Sequence, residues 1–125
     1  MRPGLALSVF LLSTLLPVAC VERPQSPNWQ VELRLVPEAP RPLEEATFAV
    51  RVQARTGEAV TGAEVEVELW QGSERTGENR LRLRETQAGI YTAPGKFPLP
   101  DDWQVEVRVE KGAQHQAKEF RFAVR

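Results

Sequence analysis

From residue 29 to the end of the chain, apolar and polar residues alternate with a period of two. Val31, Leu33 and Leu35 alternate with Gln30, Glu32 and Arg34; Phe48, Val50 and Val52 with Ala49, Arg51 and Gln53. Val65, Val67 and Leu69 alternate with Glu64, Glu66 and Glu68, and Leu81 and Leu83 with Arg80, Arg82 and Arg84. Trp103, Val105, Val107 and Val109 alternate with Gln104, Glu106, Arg108 and Glu110; Phe120, Phe122 and Val124 with Arg121, Ala123 and Arg125. Successive side chains on a strand point to opposite faces, so each run predicts a strand with one dry and one wet face. A shorter run, Gly89, Ile90, Tyr91 and Thr92, supplies one strand more. No stretch after Cys20 repeats apolar residues at helical spacing, so the chain beyond it is expected to be all-β.

Proline and glycine fall between the runs. Pro37, Pro40 and Pro42 separate the first pair, residues 56–62 the second, and residues 71–79 the third. Pro94, Gly95, Pro98 and Pro100 precede the Trp103 run, and Gly112 opens a turn before the last. Proline cannot donate to a ladder and glycine tolerates positive φ, so both collect in turns. About seven one-sided strands bury their apolar faces by packing as two antiparallel sheets, which predicts an immunoglobulin-like sandwich. The long joins before Phe48 and before Trp103 are expected to cross between sheets, and the shorter ones to be hairpins. Without a second cysteine there is no intrachain disulfide, so stability rests on buried side chains. Phe48, Val50, Val67, Leu69, Trp103, Val105, Val107, Phe120 and Phe122 are the expected main contributors.

The first residues have a different pattern. Arg2 precedes an apolar run over residues 5–16, then Pro17, Val18, Ala19 and Cys20. A basic start, a short apolar stretch and a small residue before a cleavage point predict a signal peptide over residues 1–19. A membrane span needs roughly 20 apolar residues, more than this run supplies before Pro17. Residues 15–20 resemble the lipobox of bacterial lipoproteins, with Pro17 standing where an aliphatic residue is usual. The resemblance implies lipidation of Cys20 by diacylglycerol and a further palmitate-like chain on its freed amine. Each buried methylene contributes about 0.8 kcal/mol, so two or three chains hold where one does not. Residues 20–28, polar with Pro24 and Pro27, read as a tether, leaving residues 29–125 as one domain. The expected location is the cell membrane or outer membrane, lipid-anchored and facing away from the cytoplasm.

Composition narrows the chemistry. The chain of 125 residues carries 16 Lys and Arg against 17 Asp and Glu, net −1, which supplies no basic field for nucleic acid. The glutamates at 64, 66 and 68 and the arginines at 80, 82 and 84 predict cross-strand ion pairs that fix register. Their alternative use is a basic surface for anionic headgroups. His115 stands in the polar segment 111–116 and is expected to be a solvated loop residue. Asp101 and Asp102 are expected to cap a turn; two adjacent carboxylates do not make a calcium loop. Ser26, Ser73 and His115 show no spacing that assembles a nucleophile with a base, so no catalytic residue, cofactor or metal site is expected. Of Trp29, Trp70 and Trp103, candidates for a sugar-stacking platform, Trp103 reads as core. Trp70 falls out of phase with Leu69 and is the expected exposed partner contact.

The run Val31 to Leu35, Pro40 with Phe48, Ala49 and Val50, the stretch 57–65, the stretch 89–93, the Trp103 strand and the closing Phe120 strand together resemble the YtkA-like domain of small bacterial envelope lipoproteins. FixH-type modules are similar. The resemblance implies an immunoglobulin-like fold and, in relatives with methionine and histidine in mid-domain, copper handling. This chain has Met1 and His115 only, and copper(I) prefers sulfur ligands. The expectation is therefore a monomeric, non-catalytic, lipid-anchored module that binds an envelope protein partner. The rivals are a copper chaperone or accessory factor for respiratory enzyme assembly, a hydrolase with an unrecognised site, and a module of a fibrous assembly.

Overall fold

A computed structural model of the protein describes Gly4 and residues 27–73 and 75–125. Seven strands follow one another: β1 (Gln30–Val36), β2 (Ala46–Gln53), β3 (Glu64–Gln71), β4 (Arg80–Gln87), β5 (Ile90–Gly95), β6 (Asp101–Lys111) and β7 (Gln114–Val124). There is no helix among the described residues, and hence none there long and apolar enough to cross a membrane. Every expected strand is present, and the described residues are all-β.

The strands are antiparallel in the order β1-β2-β5-β4-β3-β6-β7. An immunoglobulin sandwich divides the same succession into two sheets, β1-β2-β5-β4 and β3-β6-β7, whereas here it is one seven-stranded sheet. The halves are joined through β4. Arg80 to Leu83 pair with β3, and Arg84 to Gln87 pair with β5, with a bulge between Glu85 and Gln87. The ladder is thus continuous, and it folds over so that both halves feed one hydrophobic cluster. Val31, Leu35, Phe48, Val50, Val52 and Tyr91 meet Val65, Val67, Leu69, Trp103, Val105, Val107 and Val109 there.

The connections correct part of the expectation. β1 pairs directly with β2, so the join before Phe48 stays within one half of the ladder. The crossovers are β2 to β3 and, as expected, β5 to β6. Length misled here, because three prolines make a wide turn without changing sheets. The loop before β3 is held by Tyr91, whose hydroxyl donates to Val60 O at 2.7 Å and accepts from Ala63 N–H at 3.1 Å.

Two further corrections concern the core. Phe97, inside the proline-rich join, is fully buried, with its ring 5.6 Å from those of both Phe48 and Trp103. Phe120 and Phe122 are only half-buried, since β7 is an edge strand. His115 is not in a loop either. The turn between β6 and β7 is only Gly112 and Ala113, and His115 pairs with Glu110 as an exposed strand residue.

Candidate functional site

The outer face of β3 and β6 brings like charges together. Glu68 lies directly opposite Glu106, an unfavourable cross-strand pair. Arg75, from the β3–β4 loop, resolves it. Its Nη2 donates to Glu68 Oε2 at 2.6 Å and to Glu106 Oε1 at 2.8 Å, and its Nη1 donates to Glu106 Oε2 at 3.1 Å. The guanidinium lies 4.3 Å from the centre of the Trp70 ring. Glu68 is left only 3% exposed and Trp70 only 7%. The Arg75 hydrogen bond holds the Glu68 carboxyl below the usual carboxylate range, against the upward push of burial, and does the same at Glu106.

Trp70 is therefore not the exposed contact its phase predicted. It is on the outer face, but the loop folds back and covers it. Trp103 is core, with Nε1 donating to Leu99 O at 2.9 Å, and Trp29 is also buried, so the three tryptophans form no open platform. Asp101 and Asp102 are the exposed first residues of β6; Asp101 Oδ1 accepts from Asp102 N–H, and Asp102 pairs with Arg125 at 3.2 Å. The expected pairing of β3 with β4 is present, with Glu66 opposite Arg82 and Glu68 opposite Arg80. The side-chain ion pair formed there is Arg80 with Glu66, at 3.7 Å, while Glu68 is taken by Arg75. Cys20 lies outside the described residues, as do the expected signal peptide apart from Gly4 and most of the expected tether. Among the described residues no three His, Cys, Asp or Glu side chains gather where they could hold a metal ion.

A second feature lies where the ladder fails to close. The edge strands β1 and β7 run in the same direction beside each other, bridged by side chains instead of main-chain bonds. The Gln116 amide accepts from Trp29 N–H at 2.8 Å and donates to Trp29 O at 2.6 Å. Lys118 Nζ donates to Val31 O at 3.1 Å, with its ammonium 5.1 Å from the centre of the Phe120 ring. Beside Lys118 a groove of about 390 Å³ runs from the seam over the outer face of β1 and β2, lined at the seam by Leu33 and Phe120 and on the outer face by Glu32, Arg34, Arg51 and Ile90. The sequence did hold a signal for this. Gln116 and Lys118 share the inward phase of Phe120, Phe122 and Val124, and polar residues in an inward phase mark a protected edge.

No curated protein and no solved structure matches the chain. The sequence model described as YtkA-like matches residues 23–108, from before β1 through most of β6. With more than half of its length in that match and the expected all-β strand succession in place, the chain belongs to the YtkA-like family.

Proposed function

We propose that this protein is a lipid-anchored, non-catalytic binding module of the bacterial cell envelope. The observation that carries the reading is the position of Cys20, the chain's one thiol, at the end of an apolar leader and only a short tether before β1. An anchored domain is confined to a membrane surface, which raises its effective concentration toward envelope partners. The β-scaffold suits such a role, because loops and free strand edges take partners without a catalytic centre.

The test is the mass of the protein recovered from bacterial membranes. The reading expects removal of residues 1–19 and a Cys20 carrying diacylglycerol and an amide-linked acyl chain. It also expects Cys20→Ser to release the chain from acylation and from that cleavage. A wild-type protein recovered with its leader intact and no lipid refutes the proposal.

A further inference from the structure

We propose that the open part of the β1–β7 seam takes an extended acidic peptide, which adds to β1 as a further strand. The main chain of β1 has a definite polarity at this edge. Val31 O faces the seam, since Lys118 reaches it. Main-chain groups alternate in direction along an antiparallel strand, so those of Leu33 and Leu35 face the seam as well. The pairing on the other side agrees: Val52, opposite Val31, gives its N–H to Gly89 O and not to β1.

The start of this edge is occupied by Gln116 and Lys118. Beyond it, no side chain of the described residues bonds the main chain of Leu33 or Leu35. The groove borders that place, with half-buried Leu33 and Phe120 at its seam side and the outer face of β1 and β2 as its floor. Arg34, Arg51 and Lys118 supply positive charge, with Glu32 the one acidic residue of the lining. Glu32 is opposite Arg51 in register, and none of the three cations forms an ion pair among the described residues.

An added strand has its own period of two. Alternate side chains would meet Leu33 and Phe120, with Lys118 at the near end of that row, and the others would meet Arg34 and Arg51 on the outer face. The matching ligand thus alternates apolar with acidic residues. Main-chain bonds supply affinity, and the two rows of side chains supply selection.

This inference rests on the binding role proposed above but not on the lipid anchor. The test uses the full chain in detergent and a labelled short peptide alternating glutamate and valine, with fluorescence anisotropy as the readout. Binding should weaken with salt, and each of three changes should lower affinity by about tenfold or more, the loss of one charge-assisted contact or of the ladder. These are Arg34→Glu, Leu33→Pro and N-methylation of alternate peptide amides. Proline is tolerated at an edge whose N–H faces outward, and the methylated peptide keeps the test sound if that variant misfolds.

Equal binding of a lysine–valine peptide, or undiminished binding of the methylated peptide, overturns the proposal. Capture of anionic vesicles without peptide binding also overturns it and assigns these cations to a membrane. Failure to bind peptide by a chain whose mass shows the acyl groups refutes the seam and leaves the anchor standing. Binding by an unacylated chain does the reverse.

Discussion

At Glu68 two demands meet: the position lies in the outward phase of β3, yet its carboxylate is buried opposite Glu106. The structure meets both by sending Arg75 across the pair. Arg75→Ala leaves a buried carboxylate without its main partner, and the expected loss is about 2 kcal/mol in urea unfolding. Glu68→Gln in that background should recover part of it, which a double-mutant cycle measures. Arg108 Nη2, 3.9 Å from Glu68, keeps the loss from being larger. Acid stability follows from the same contacts. Glu68 and Glu106 are held down by Arg75, and Glu85 by the N–H groups of Gly62 and Gly89, each at 3.0 Å. In the unfolded chain these carboxyls take up protons near 4.5, before the folded chain does. Their contribution is therefore complete above that pH and is lost as pH falls through the lowered folded values. Tm should drop on acidification below about pH 4.5, and Glu85→Gln should flatten that limb while lowering Tm at neutral pH. A Tm profile unchanged in slope by the substitution counts against this account.

At the scale of the element, the strands were legible because a half-buried strand prints its period on the sequence. The β3–β4 pairing was legible too, from complementary glutamates and arginines. The joins were not. The join between β5 and β6 looks like a bare linker of prolines, but Phe97 plugs the space between Phe48 and Trp103. Phe97→Ala should cost about 4 kcal/mol, the usual scale for deleting a buried ring, measured by thermal or urea unfolding. The end of β5 is equally tight. A Cβ on Gly95 would lie 2.6 Å from the Phe48 ring and 2.7 Å from Leu81 Cδ1. Gly95→Ala should therefore destabilise by about 1–3 kcal/mol through overpacking. Its loss should shrink in a Phe48→Leu background if ring contact is the cause. Loop residue Arg75 had no period to announce it, and only the geometry of the β3–β4 loop places it over Trp70.

For the whole molecule, the decisive property is that one ladder supplies both walls of the core. The inward residues of β6 are covered partly by β7, through Phe120, Phe122 and Val124. A chain ending after Lys111 uncovers them, and it should lose its cooperative unfolding transition in circular dichroism and calorimetry. Retention of a sharp transition would mean that the first six strands close the core alone. The matched region stops at residue 108, although β7 is part of the same ladder. By itself the sequence determined the number and kind of the strands, because alternation is a local record of which side of a strand meets water. The tertiary structure decided strand order, the sharing of β4, the burial of Trp70 under Arg75 and the half-closed seam. Those depend on contacts between residues far apart in the chain, where no local period reaches.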